Sequence, residues 1–328
     1  MTHMSLIDCP VSVAPMMEWT DRHCRYFLRL ISRHVRLYTE MVTSSALLHG
    51  DPDYLLAYHA SERPLAVQLG GSEPDQLASC ARYAEQAGFA EINLNVGCPS
   101  DRVQSGRFGA CLMLEPERVA ACVVAMRETV SIPVTVKTRI GVDEQDSYEE
   151  LSRFVAILIE AGLECLIVHA RKAWLTGLSP KQNREVPPLR YAWVYQIKKD
   201  FPLLEVHING GIKTLDAVKD HLEQVDGAMI GREAYHNPWL LADVDRRFAG
   251  DADSVADRHQ VIGRFLPYVE DELSGGVRLQ QMTRHILGLF QGQPGARAWR
   301  RYISEHAHQA GAGTEVIERA LRYVSPVY

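Results

Sequence analysis

The chain has no apolar stretch long enough for a bilayer: its longest uninterrupted run, Val119–Met126, is eight residues, against the roughly 20 that a helical span needs. Its start, Met1-Thr-His-Met-Ser-Leu-Ile-Asp8, lacks the basic segment and apolar core of an export signal, so a cytoplasmic location is expected. None of the seven cysteines (9, 24, 80, 98, 111, 122 and 165) forms a CxxC pair. A disulfide framework, zinc ribbon or iron–sulfur cluster is therefore unsupported, and no metal is expected. GxGxxG is missing after the first strand-like run, where Ala14-Pro-Met-Met-Glu-Trp19 stands instead, which argues against a dinucleotide-binding open sheet. Positive charge is in short supply too: 35 Lys and Arg face 41 Asp and Glu, a net of −6. That excludes a generally basic nucleic-acid binder but not a local patch.

What is present is an ordinary folded composition, 46% apolar and 23% charged over 328 residues, enough for a large barrel and a smaller domain. Short β-branched runs at 11–14, 36–40, 65–69, 91–95, 133–138, 164–169, 205–209 and 226–231 alternate with helical stretches. Helical periodicity is clearest over 74–87, 116–130, 148–161 and 215–224. Eight such units predict an α/β fold, a (β/α)8 TIM barrel over residues 1–249. After a linker at 249–254 the strand-like runs stop, and a small all-α domain is predicted over 250–328.

Residues two apart share a strand face. Glu91, Asn93 and Asn95 therefore oppose Ile92 and Leu94, and Thr135, Lys137 and Arg139 oppose Val134, Val136 and Thr138. The polar faces must point into the barrel, because the others meet helices. Reading each run to its end gives Gln68, Asn95, Lys137, His169 and Asn209, at the face where barrel enzymes build their sites. Lys137 is the most informative member, since a buried lysine is costly without an anionic or strongly hydrogen-bonding partner. Asn209-Gly210-Gly211 and Gly231-Arg232 follow the seventh and eighth runs, the usual phosphate-binding loops of a barrel. With Pro15, Met16 and Met17 offering soft apolar contact at the first run, a flavin mononucleotide explains the set: phosphate at the glycines, ring across the mouth.

Cys98, in Asn95-Val-Gly-Cys-Pro-Ser100, follows the fourth run and is expected over the mouth. A thiol with an ordinary pKa near 8.5 is mostly protonated at neutral pH and can act as a general acid. Cys80, Cys122 and Cys165 fall on apolar positions and are expected to be inert. Reduced flavin delivering hydride to a carbonyl-conjugated double bond would leave the neighbouring carbon in need of that proton.

Ala14-Pro-Met-Met17, Gln68-Leu-Gly70, Asn93-Leu-Asn-Val-Gly-Cys-Pro-Ser100, Val136-Lys-Thr-Arg-Ile-Gly141, His169-Ala-Arg171, Asn209-Gly-Gly211 and Gly231-Arg232 together resemble the tRNA-dihydrouridine synthases from about residue 10 to the C-terminus. The segment from His169 to Leu189 resembles the branch acting on uridines 20 and 20a of the tRNA D-loop. The resemblance implies FMN as cofactor, NADPH as reductant and tRNA as substrate. It implies FMN contacts at Pro15, Met16, Met17, Gln68, Lys137, His169, Asn209, Gly210, Gly211, Gly231 and Arg232. Asn95 and Arg184 match positions that hold the uridine, and Cys98 becomes the proton donor to uracil C5 as hydride reaches C6.

Segment 170–190 is predicted to be an irregular loop carrying Arg171, Lys172, Trp174, Lys181, Asn183, Arg184 and Arg190 with Glu185 alone opposing, a composition suited to a splayed base and its phosphates. Asn183 is expected there as an RNA contact. From Leu273 to Ser304 no acid occurs, and Arg297 and Arg300 lie one helical turn apart, a candidate phosphate-binding pair. A monomer is expected. A flavin barrel acting on a free pyrimidine or small enone remains the alternative; it leaves the acid-free arginine stretch without a role.

Overall fold

The computed structural model describes residues 9–100, 106–251 and 257–324. Its eight strands are β1 (Val11–Val13), β2 (Leu37–Thr43), β3 (Leu65–Gly70), β4 (Glu91–Val96), β5 (Val134–Arg139), β6 (Cys165–His169), β7 (Glu205–Asn209) and β8 (Gly227–Ile230). They form one parallel sheet in the order β1-β8-β7-β6-β5-β4-β3-β2. The ring closes just ahead of β2, where Val13 N–H donates to the Arg36 carbonyl at 2.9 Å and Arg36 N–H to that of Val11 at 3.1 Å. The expected barrel is borne out, with strand ends within about three residues of the sequence reading.

The barrel helices turn periodic apolar positions inward. Pro74–Gln86 buries Leu77, Cys80, Ala81 and Ala84; Tyr148–Glu160 buries Leu151, Phe154, Val155 and Leu158. Each such Leu or Phe contributes about 1.5–3 kcal/mol by leaving water. Both helices end two residues before a glycine of positive φ, Gly88 at 86° and Gly162 at 85°, which lets the chain reverse without a Cβ clash.

The chain divides into two compact units, and not at the expected cut of 249/250. One takes the chain up to Met17 and Arg36–Gly231; the other takes Glu18–Val35 and everything from Arg232 onward. The segment between β1 and β2 therefore leaves the barrel unit, although it follows a barrel strand in sequence. Its helix, Arg22–Ile31, buries Phe27, which packs edge-on against Phe265 at 5.6 Å. Helix Ala296–His306 buries Ala296, Trp299 and Ile303, and Trp299 meets Phe290 at 4.9 Å. These aromatic contacts explain the regrouping: the apolar partners of 18–35 lie in the C-terminal helices. Residues 252–254 of the linker expected at 249–254 lie outside the described residues.

Candidate active site

The barrel interior carries the polar ladder that strand alternation requires. Near the N-terminal ends, Glu91 accepts from Arg36 at 3.2 Å, Tyr38 at 2.8 Å and Thr135 at 2.6 Å. Above it, Asn93 donates to Thr135 and Gln68 donates to Asn93, both at 2.8 Å. Asn95 donates to the Gln68 oxygen at 2.8 Å. Asn95 Oδ1 then accepts the backbone N–H groups of Gly97 and Cys98, each at 3.0 Å. The amides expected to face ligand thus also tie the Cys98 turn to the barrel.

Cys98 is half-buried, with Sγ 3.4 Å from Ser100 Oγ. Cys80, Cys122 and Cys165 are buried; desolvation pushes the thiols of Cys80 and Cys122 up to about 11 and about 12, fitting their expected inertness. Cys9 and Cys24 are buried as well, while Cys111 is half-buried and bonds the Phe108 carbonyl.

Lys137 lies beside the cysteine loop. Among the described residues the one hydrogen-bond partner of its ammonium is Asn209 Oδ1 at 3.1 Å. Desolvation, then Arg139, pushes its ammonium down to about 7, with a Cys98 thiolate acting the other way. Arg139 is lowered to about 10, again chiefly by desolvation. Among the described residues, no carboxylate is among the charges acting on either group. His169 is held well below its usual range by burial and by Arg139, Lys137, Arg171 and Arg184, and its buried Nδ1 has no partner among the described residues. A desolvated cationic mouth with an orphaned imidazole nitrogen fits an anionic, hydrogen-bonding group such as FMN.

The glycine loops fit it as well. Gly210 and Gly211 have φ of 111° and 74°. A Cβ on Gly210 would stand 3.2 Å from the His169 ring, and one on Gly211 2.6 Å from Leu189, so only glycine brings the backbone this close. Asn209 also donates to the Met229 carbonyl at 2.7 Å, and a Cβ at Gly231 would meet open space. Arg232 directly follows as the first residue of the helix Arg232–His236. At the end of β1, Met16 packs on the cluster of Ala14, Tyr38, Ala66, Ile167 and Met229. Pro15 is half-buried, and Met17 is 54% exposed.

The loop reading needs correction at Asn183. This residue is fully buried; its Oδ1 accepts from Trp174 N and its Nδ2 donates to the carbonyls of Trp174 and Leu178. Its amide knits the loop together and does not face RNA. The loop is also less cationic than its own sequence: Asp146 pairs with Lys172 at 3.0 Å and Arg190 at 2.7 Å. Lys172 further covers the Trp174 ring at 3.9 Å. Lys181 and Arg184 are exposed.

Two residues escaped the sequence reading. Arg139 donates to the carbonyls of Gly97 at 2.9 Å, Lys172 at 3.1 Å and Asn183 at 2.9 Å, bracing the cysteine loop and the 170–190 loop at once. Its signal was there, two residues beyond Lys137 on the same strand face. Tyr191 donates to the Gly210 carbonyl at 2.7 Å, holding the glycine turn.

In the second unit Arg297 is exposed and Arg300 half-buried, with Arg300 donating to Gln291 at 3.2 Å. Arg284 pairs with Asp21, and His285 lies 3.0 Å from the same carboxylate. The acid-free stretch is therefore partly neutralised by an acid far away in sequence.

A closed parallel barrel whose C-terminal strand ends converge on a thiol, a desolvated lysine and two glycine turns has the build of a barrel enzyme. The dihydrouridine synthase (Dus) family model matches residues 12–325, and the chain belongs to that family. It is 61% identical over 322 residues to the tRNA-dihydrouridine(20/20a) synthase of Vibrio cholerae serotype O1, covering 98% of this chain and 97% of that one. It is 62% identical over 315 residues to the protein of the same name from Escherichia coli strain K12, covering 96% and 91%. Among solved structures, a 2-naphthoyl-CoA reductase complex matches with a TM-score of 0.57 at 12% identity, covering 75% of this chain and 51% of that one. That likeness speaks for the barrel fold alone. No helix among the described residues is long and apolar enough to cross a membrane.

Proposed function

We propose that the barrel mouth binds FMN and reduces uridines 20 and 20a of the tRNA D-loop to 5,6-dihydrouridine, with NADPH as reductant, in the cytoplasm and as a monomer. The observation that carries the reading is Lys137, a desolvated cation on which no carboxylate among the described residues acts, within electrostatic reach of Cys98. The names of the relatives support tRNA as substrate.

In this reading Lys137, His169, Asn209, Gln68 and the backbone at Gly210, Gly211 and Gly231 hold the cofactor, with Arg232 at its phosphate and Pro15, Met16 and Met17 against its ring. The chemistry a reduced FMN held there would supply is a hydride for uracil C6. The Cys98 thiol supplies the matching proton: as C6 gains hydride, C5 takes on enolate character and removes the S–H proton. The π pair of the C5–C6 double bond ends in the new C–H bond at C5. The thiolate left behind is stabilised by Lys137 and Arg139 and reprotonated by water. Asn95 and Arg184 hold the uridine, which must leave its stack at a cost of a few kcal/mol. Arg297 and Arg300 grip the RNA backbone.

Colour tests the cofactor. Purified protein should absorb as a flavoprotein and release FMN on denaturation; a colourless protein that takes up no added FMN contradicts the reading. Replacing Arg297 and Arg300 together with alanine should weaken tRNA binding roughly tenfold and flatten its salt dependence by about two phosphate contacts. Gel-shift titration at two salt concentrations checks this, and unchanged affinity removes the pair from the interface.

Lys137 makes flavin affinity pH-dependent. In the ligand-free protein its ammonium titrates at about 7, and an anionic ligand favours the charged form, so binding above that pH takes up a proton. The flavin phosphate, with its second pKa near 6, is already ionised there. FMN affinity should therefore fall as pH rises from about 7 to about 9, by at most about tenfold per unit. The sign for stability is opposite. The folded pKa lies below the unfolded value of roughly 10.4, so this group favours folding of the ligand-free protein increasingly as pH rises between the two. Flavin fluorescence titrations that give one dissociation constant across this range contradict the assignment.

A further inference from the structure

The hydrogen bonds inside the barrel form a directed chain. Each of its links donates the same way: Cys98 N–H to Asn95, Asn95 to Gln68, Gln68 to Asn93, Asn93 to Thr135, and Thr135 to Glu91. The two ends leave no freedom in that direction. A backbone N–H can only donate, so Asn95 must present its oxygen to Gly97 and Cys98. A carboxylate paired with Arg36 only accepts, so the single Thr135 hydroxyl proton is donated to Glu91 at 2.6 Å in preference to the Ile92 carbonyl at 3.4 Å. Thr135 can then only accept from Asn93, and the orientations of Asn93 and Gln68 follow.

We propose that Thr135 and Glu91 are positioning residues for Cys98, acting through this chain to fix which way the Asn95 amide faces. The strand register supports it: Gln68 lies opposite Asn93, and Asn93 opposite Thr135, so the links join neighbouring strands at matched height. Glu91, Asn93, Thr135 and Gln68 are all at most 2% exposed, so water does not compete for these bonds and a flipped amide would leave buried groups unmatched. A reversed Asn95 would turn its NH2 toward two N–H donors and release the Cys98 turn. The polar layer is thus an orienting device whose fixed point is a buried ion pair at the far end of the strands.

This inference rests on Cys98 as proton donor for its catalytic consequence, but its structural part is testable alone. Thr135→Val keeps the side-chain shape and removes both links at that position; Thr135→Ser keeps the hydroxyl. For Thr135→Val, kcat for uridine reduction should fall roughly tenfold to a hundredfold, the loss expected when a reacting group is displaced by about an ångström. KM for tRNA should stay within about twofold and Thr135→Ser should recover most of kcat. Peptide-resolved alkylation of Cys98 by iodoacetamide should change rate at least about threefold in Thr135→Val and not in Thr135→Ser. Equal losses in both variants, or an unaltered alkylation rate in Thr135→Val, would overturn the proposal. If turnover proves independent of Cys98 itself, the proton-donor reading fails while the alkylation comparison still decides the chain. Should Thr135→Val not fold, the wild-type protein answers: the side-chain amide protons of Gln68, Asn93 and Asn95 must exchange slowly in ¹⁵N spectra, and fast exchange contradicts the chain.

Discussion

Cys98→Ala should retain bound flavin and lose dihydrouridine formation on tRNA by roughly a hundredfold to ten-thousandfold, the usual range for removing a positioned general acid. The retained flavin follows from geometry. The cationic mouth and glycine turns belong to β5, β6, β7 and the loops after β7 and β8, whereas Cys98 belongs to the loop after β4. Only the thiol proton is lost, and water must approach C5 in its place. Single-turnover mixing of reduced enzyme with unmodified tRNA reads the chemical step directly, and turnover within about threefold of wild type removes the assignment. Cys111→Ala provides the contrast: its thiol bonds the Phe108 carbonyl, and its loss should leave turnover nearly unchanged.

Arg139→Ala should cost both stability and activity. Three carbonyls, those of Gly97, Lys172 and Asn183, lose their donor. An unsatisfied buried acceptor costs about 1–3 kcal/mol, so a total of roughly 3 kcal/mol or more is expected. For 328 residues, at about 2.1 cal/mol/K of unfolding entropy per residue, that lowers Tm by about 4 °C or more. The 170–190 loop should become the first site of proteolysis, because Arg139 and Asn183 tie its two ends together. Arg139→Lys should recover little, since an ammonium cannot span three separate carbonyls with fork geometry. A melting point within about 2 °C of wild type, with the loop still protected, would show that other contacts hold it.

How far the sequence could be read depended on whether each interaction was local. The strands were legible because period-two alternation separates Glu91, Asn93 and Asn95 from Ile92 and Leu94, and the same alternation placed the polar face inside. The five strand-end groups followed from that geometry. Segment 18–35 was misplaced because connectivity says nothing of packing partners: Phe27 finds Phe265, 238 positions away by the numbering. The charge readings failed in the same way. Lys172 and Arg190 looked unopposed within their own segment, but Asp146 arrives from the loop after β5. Arg284 lay in an acid-free stretch, but Asp21 reaches it. By sequence Asn183 groups with the basic and aromatic residues of its loop as an RNA contact; its buried bonds to Trp174 and Leu178 make it a loop staple instead.

The most direct test of the account supplies purified protein with NADPH and an unmodified tRNA transcript and maps the reduced bases by mass spectrometry, with free uridine in a parallel reaction. The account predicts dihydrouridine at positions 20 and 20a of the transcript and none from the nucleoside. Reduction of the nucleoside with the transcript left untouched would contradict it.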